Sequence, residues 1–458
     1  MASEITDLND GDSGTQYCSE RFRLTLRSSR IVAWVMAAAW PLVVANVAFA
    51  EQEPLPPSPQ TASADSADEG SLIGSGLTLA DLIGIAEGSS PNLRQASADI
   101  EMARGHWDQA GRYPNPILMS GTQQLNAGQS QYLAMLSQEI VTKHKLELQQ
   151  CAAERALYQA ELKFLRRRFD LLTAVRQAYF ATLAAEKRVD VLTRLVEIAR
   201  KSQAAAQKLQ DAGEGTRGDT LLLNIELEKA EVALENAQTA LAAWRRQLAA
   251  VIGQRSLQIE GVSGQLTIAL DEFAAQIAVD DYVPRNANVQ IAEQEITRSE
   301  FLARRADVEP FPNVTVQSGY MYQVEPLHNY GILQLSVPLP IWNRNQGNRY
   351  AAQAAVGRAI ETVQQVQNDI ARQMADATGR FRQADQQVRR FEQKILPQSR
   401  ESVSVAQQGF QQGQFDFLRL LQSQRTLVES SLGYLTSLEN RWMAAAEMAG
   451  IAQVEEFP

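Results

Sequence analysis

From about Leu77 onward the chain repeats one pattern of elements, and the repeat is built on helical runs too long to pack into a globule. Each half starts with a helical stretch carrying an asparagine (Asn92, Asn288). A Pro-Asn pair follows (Pro114-Asn115, Pro312-Asn313), then two short strand-like runs around a turn. A very long helical stretch, a glycine break (Gly213, Gly413) and a second helix ending at Gly253 or Gly450 complete the unit. Corresponding features stay 196 to 200 residues apart. The expected organisation is a first repeat over 76–253 with a hairpin tip at 211–220, and a second over 285–450 with a tip at 411–418. A linker over 254–284, broken by Gly261, Gly264 and Pro284, joins them, and a tail covers 451–458.

The helices carry the spacing of a coiled-coil seam. After Gly218, apolar residues fall at Leu223, Leu227, Ala230, Leu234, Ala237, Leu241, Trp244, Leu248 and Val251, in alternating steps of four and three. The matching helix of the second half gives Leu421, Val428, Leu435, Leu438, Trp442, Ala445 and Ala449, with Gln424 and Ser431 at two seam positions. The longer helices behave alike: Leu162, Leu165, Phe169, Leu172, Val175, Tyr179 and Leu183 in one, and Val366 through Val388, Phe391 and Ile395 in the other. A continuous helix from Leu146 to Leu209 would be about 95 Å long at roughly 1.5 Å per residue. A bundle of that length is a rod, a stalk or a tube wall. An aromatic content of only 7% agrees with long helices rather than an aromatic-rich core.

The N-terminus reads as an export signal over residues 1–50. Arg21, Arg23, Arg27 and Arg30 precede an apolar run from Ile31 to Phe49, which ends in the small-residue pattern Ala48-Phe49-Ala50. A single transmembrane anchor is the alternative, although Pro41 interrupts the run. Residues 51–75 are rich in Pro, Ser and acids and read as a disordered leader. Cys18 would leave with the signal, so Cys151 is expected to stand alone, without an internal disulfide. No Cys sits at the cleavage site, so no lipid anchor is expected.

No other stretch has 18 consecutive apolar residues, so a mature chain in a membrane must sit there as a β-barrel. Four strands are expected, over 117–124, 131–140, 313–322 and 330–338. In the last, Leu333, Leu335 and Val337 point one way and Ile332, Gln334 and Ser336 the other. In the third, Val314, Val316, Tyr320 and Tyr322 oppose Thr315, Gln317 and Met321. One apolar and one polar face suits a barrel wall, and equally a half-buried sheet in a soluble domain. Four strands cannot close a water-filled barrel, so barrel strands would have to be shared among several chains.

The net charge of −10 argues against nucleic acid as a partner. The only histidines are His106, His144 and His328, without metal-ligand or triad spacing. No catalytic centre, cofactor or dedicated metal site is expected. The Gly-rich first tip lacks the Gly-Lys-Ser/Thr of a phosphate-binding loop.

A duplicated helix, two-strand and long-hairpin unit behind an export signal resembles the TolC-like outer-membrane efflux proteins, over about Leu77 to Gly450. The segment Val337-Pro338-Leu339-Pro340-Ile341-Trp342-Asn343-Arg344-Asn345-Gln346-Gly347 is similar to the one that follows the fourth strand in their heavy-metal (cobalt–zinc–cadmium) branch, which serves resistance-nodulation-division pumps. Tyr113-Pro114-Asn115-Pro116, before the first strand, resembles the same branch, as does Glu226 to Gly253. Relatives tend to carry a Gly-Lys-Arg element after the second strand; Thr142-Lys143-His144-Lys145 keeps the charge and lacks the glycine.

The resemblance implies a mainly α fold with a small β part. Three chains share one twelve-stranded barrel in outer-membrane lipid, and their helices continue as an α-barrel through the periplasm. It implies a homotrimer that works with a periplasmic adaptor and an inner-membrane pump. The tips carrying Gly213, Arg217, Asp219 and Leu221, and Gly413, Asp416 and Leu418, would dock the adaptor. Asp416 would ring a periplasmic aperture, with Arg419 able to pair with it between chains. Helix capping by Asp219 and Asp416 is the plainer account of both acids. Export of drugs or secreted proteins through the same fold, and a soluble periplasmic coiled-coil scaffold, remain open at this point.

Overall fold

The structure, a computed structural model, describes residues 76–124, 130–212, 216–270, 272–273, 277, 282–324, 328–412, 414–415 and 417–458, all within the unit Leu72–Pro458. The expected signal and leader therefore lie outside the described residues. The first repeat contains α1 (Leu79–Ser89), α2 (Pro91–Ala110), β1 (Ile117–Gln124), β2 (Gln131–Ile140), α3 (Lys145–Asp211) and α4 (Arg217–Val251). After a single helical turn at Tyr282–Arg285, the second repeat contains α5 (Ala287–Val308), β3 (Val314–Gln323), β4 (His328–Ser336), α6 (Gln346–Arg390), α7 (Leu396–Gln411) and α8 (Phe417–Ala452). Five π-helical residues, Phe391–Ile395, join α6 to α7.

The described chain is thus mostly helical with one small antiparallel sheet, in the order β1-β2-β3-β4. The first hairpin of strands comes from one repeat and the second from the other, and β2 pairs β3 to join them. The fourth strand starts at His328 and stops at Ser336, earlier than expected at both ends. His328 pairs Gln323, and beyond the Thr315–Ser336 pair Pro338 has no N–H to offer the ladder.

Seam residues are buried along α3 and α6: Leu162, Phe169, Leu172, Val175, Tyr179 and Leu183 in one, and Ile370, Met374, Ala377, Phe381, Ala384 and Val388 in the other. Past Val388 the rhythm changes. Pro397 lacks the N–H that Gln393 would accept from in an α-helix, and the preceding turn widens, so that Leu396 N–H donates to Phe391 O. Phe391 and Ile395, expected in the seam, are only half-buried.

The main core gathers the middle of α3 and α8 with residues of the linker. Ile259, Val262, Leu266, Leu270, Phe273 and Ile277 are buried, so this segment packs as part of the core. Its backbone carbonyls are claimed by buried donors. Tyr179 Oη donates to Ser263 O (2.5 Å), Trp442 Nε1 to Leu266 O (2.8 Å) and Arg441 to Leu266 O and Ile268 O (3.2 and 3.0 Å). The tail also packs. Phe457 lies against Phe180, Phe273 and Trp442, and the Arg176 guanidinium sits over its ring. Burial lowers the Arg176 pKa to about 10, which leaves it charged at neutral pH, donating to Val454 O and Glu455 O.

Cys151 is expected from the sequence to stand alone in the processed chain. That expectation concerned the chain after loss of residues 1–50; Cys18, the only other cysteine, lies outside the described residues.

Candidate functional site

The sheet has two chemically different faces. Cross-strand register puts Leu118, Leu136, Ser318 and Leu333 in one row, with Ser120, Ala134, Tyr320 and Gly331 beside it and Tyr132, Tyr322 and Asn329 beyond. Val316 and Leu335 extend this face at the other end, and it carries no charged residue. Its large side chains are open to the surroundings: Leu118 is 76% exposed, Leu333 75% and Leu335 65%. The other face carries Ser137, Glu139, Thr315, Gln317, Gln334 and Ser336. The outer strands β1 and β4 each keep one edge without a strand partner among the described residues. Unpaired edges beside an exposed apolar face are unstable in water unless another chain or lipid covers them. Among the described residues no helix is long and apolar enough to cross a membrane.

Where strands return to helices, two turns fix the geometry. After β4, Asn345 adopts a left-handed conformation (φ 58°), and its Nδ2 donates to Ala306 O at the end of α5 (2.9 Å). Asn343 Oδ1 accepts from Asn345 N (3.0 Å), Gln346 Oε1 from Arg344 N (3.1 Å), and Gln346 Nε2 donates to Trp342 O (3.2 Å). The Asn-Arg-Asn-Gln motif is therefore a self-bonded turn that launches α6. Asn is among the few non-glycine residues that tolerate its backbone angles. Pro338 and Pro340 precede it outside any helix or strand, Ile341 N–H donates to Leu339 O across Pro340 (2.9 Å), Gly347 lies in the first turn of α6, and Trp342 is 87% exposed.

After β2, Lys143 and His144 take left-handed angles (φ 57° and 55°) that glycine adopts more readily. A clamp missed in the sequence holds this strained turn. Asn313 Oδ1 accepts from Thr142 N (3.2 Å) and Lys145 Nζ (3.1 Å), while its Nδ2 donates to Glu139 (2.7 Å). Burial, with Arg305 nearby, lowers the Lys145 pKa, opposed by Glu139. The repeated Pro-Asn pair was the available signal for Asn313.

At the first tip, Thr216 is the N-cap of α4. Its Oγ1 accepts from Asp219 N (3.2 Å) and donates to Asp219 Oδ2 (2.7 Å), so Asp219 supports the cap instead of forming it. Arg217 is exposed in the first turn, and Leu221, Ile225 and Val232 form an exposed apolar line along α4. At the second tip, Phe415 rests on Gly409, where any Cβ would meet its ring, and Phe415 N–H donates to Gly409 O (3.1 Å). The Arg419 guanidinium lies 4.3 Å from the Phe415 ring centre, and Leu418 is exposed. Gly213, Gly413 and Asp416 lie outside the described residues. Among the described residues no group of three or more His, Cys, Asp or Glu is placed to hold a metal ion.

Comparison with known proteins fits this architecture. The cobalt-zinc-cadmium resistance protein CzcC of Cupriavidus metallidurans is 27% identical over 369 residues, 81% of this chain and 88% of that protein. Among solved structures, CusC superimposes with a TM-score of 0.71 at 16% identity, covering 82% of this chain and 91% of its own. A membrane protein from Pseudomonas aeruginosa gives 0.70 at 19% identity, covering 82% and 93%. The profile of outer membrane efflux proteins matches residues 82–254 and 279–449, one stretch for each repeat, and the chain belongs to that family.

Proposed function

We propose that this chain is the outer-membrane conduit of a tripartite pump that passes heavy-metal cations from the periplasm to the exterior. The sheet carries this reading: four strands, one uncharged apolar face left open, and two free edges among the described residues. Four strands are too few to enclose a water-filled lumen, so several copies complete one barrel. A homotrimer closes it with twelve strands, four from each copy. An export leader over residues 1–50 delivers the chain without a lipid anchor, and the repeats at 76–253 and 285–450 form the wall.

The tips meet a periplasmic adaptor, with an inner-membrane pump behind it. Exposure of Arg217, Leu221 and Leu418 supports docking there. Gly213, Asp219, Gly413 and Asp416 shape the two tips, and Asp416 with Arg419 narrows the aperture. Metal cargo is supported by the likeness to a cobalt-zinc-cadmium resistance protein.

The test is deletion of the gene followed by growth on zinc, cobalt, cadmium, nickel, copper and silver, beside a dye and antibiotic panel. Hypersensitivity confined to metals is expected. Hypersensitivity confined to drugs would keep the conduit and overturn the cargo. Asp416→Ala should raise the conductance of the resting channel, and an unchanged conductance would remove Asp416 from the aperture.

A further inference from the structure

Seven methionines lie beyond residue 50, and three of them, Met119, Met135 and Met321, fall on one face of the small sheet. The opposite face has none. Met119 on β1 stands directly across from Met135 on β2, which stands across from Gly319 on β3; Met321 is two residues further along β3, on the same face. Directly opposed side chains are about 4.5–5.5 Å apart at Cβ and diagonal ones about 7–8 Å, within reach of long side chains. Gly319 leaves the space that Met135 uses. Any Cβ there would collide with Met135 Cγ, so the Met135 side chain leans over the strand that bears Met321.

This face is the one with the charged and amide side chains, mixed with Leu133, Tyr330 and Ile332. It shares its side of the sheet with Ser137, Glu139, Gln317 and Gln334, while the uncharged apolar face lies opposite. In a barrel the three methionines therefore look into the lumen. Thioethers are soft, neutral ligands that favour Cu(I) and its analogue Ag(I) over zinc or cobalt. The residues paired directly with Met119, Met135 and Met321 are each other, Gly319, Leu133 and Tyr330, none of which offers a carboxylate or imidazole; His328 lies one step further along β4 on this face, across from Gln323. Glu139, further along the face, is engaged by Asn313. Neutral ligands also suit a site that must release its ion onward, since conduction needs binding weak enough to leave.

We propose that Met119, Met135 and Met321 form a transit site for a soft monovalent cation, Cu(I) or Ag(I), on the inner wall of the barrel. The site rests on the conduit reading for its place in the lumen and narrows the cargo to soft ions.

The test uses the full chain in detergent, dialysed to equilibrium against Ag(I) or Zn(II), beside a variant carrying Met119→Leu, Met135→Leu and Met321→Leu. These changes conserve volume and apolar character. Heat-modifiable gel mobility checks that the variant still forms a barrel. The native chain should retain about one more silver ion per chain than the variant, with zinc retention unchanged. Cys151 contributes equally to both and cancels. Equal silver retention would overturn the proposal. If the triple variant fails to assemble, Met321→Leu alone is dialysed, and unchanged retention there overturns it equally. In the deletion strain, the native gene should restore silver tolerance and the variant should not. If the native gene restores tolerance to no metal, the export reading fails, while the binding difference still decides the site.

Discussion

The first helical hairpin rises through 67 uninterrupted residues of α3, whereas the matching arm of the second is divided by the π-helical turn Phe391–Ile395 and Pro397. The interfaces differ as well. In the first, Val196, Ala199 and Ala230 are buried together, flanked by Leu195, Leu227 and Leu234, with an Arg200–Glu231 ion pair (2.7 Å) at the margin. In the second, serines meet across the seam, Ser399 with Ser430 (3.2 Å) and Ser402 with Ser423 (3.3 Å). Tyr434 Oη donates to Glu392 (2.5 Å), and burial with that bond holds the Tyr434 phenol above its ordinary pKa. Gln424 Oε1 is buried without a hydrogen-bond partner. Apolar burial is lost outright when helices part, while a hydroxyl that leaves a serine can bond to water instead. One heptad rhythm thus supports a fixed hairpin and a more easily rearranged one.

The largest test of this contrast compares equivalent seam positions. Leu223, 2% exposed in α4, corresponds to Leu421 in α8, which is only half-buried. Leu223→Ala should cost about 2–5 kcal/mol and Leu421→Ala less than half as much, read from denaturation of the detergent-solubilised chain. Equal costs would break the comparison. Next, Pro397→Ala restores a missing N–H and should let the π turn become α-helix. Amides over 391–400 should then open about 1–3 kcal/mol less readily by hydrogen exchange. No gain in protection would mean that packing of Phe391 against Tyr434, and not the proline, sets the turn.

Tyr434→Phe removes one hydrogen bond and should loosen the second hairpin by about 1 kcal/mol. Its effect should appear in exchange of α7 and α8 amides and leave α3 and α4 untouched. Thr216→Ala removes the cap of α4, a loss of about 1 kcal/mol confined to fraying of the first tip. Should that fraying spread beyond the first turns of α4, the first hairpin is less rigid than its seam implies.

Much of this was legible in the sequence. The steps of four and three located buried residues such as Leu223, Ala230, Leu248 and Trp442 because a helix brings every third or fourth side chain to one face. Strict alternation assigned Leu333 and Leu335 to one side of β4 and Gln334 to the other, since a strand has a period of two. Gln424 and Ser431 were visible as polar breaks in the second seam. The linker was read as breakers alone, because its apolar residues follow no helical or strand period; they are held by Tyr179, Arg441 and Trp442 from distant helices.

By itself the sequence determined the duplicated plan, the long span of α3 and the faces of β3 and β4, all of which depend on periodicity between near neighbours. Tertiary structure alone decided that β2 pairs β3 across the repeats, that Asn313 clamps Thr142 and Lys145, that Phe457 closes on Phe180 and Trp442, and that three methionines share one face of the sheet. Each of these joins residues far apart in the chain. Their meeting is fixed by the packing of whole elements, which no local spacing encodes.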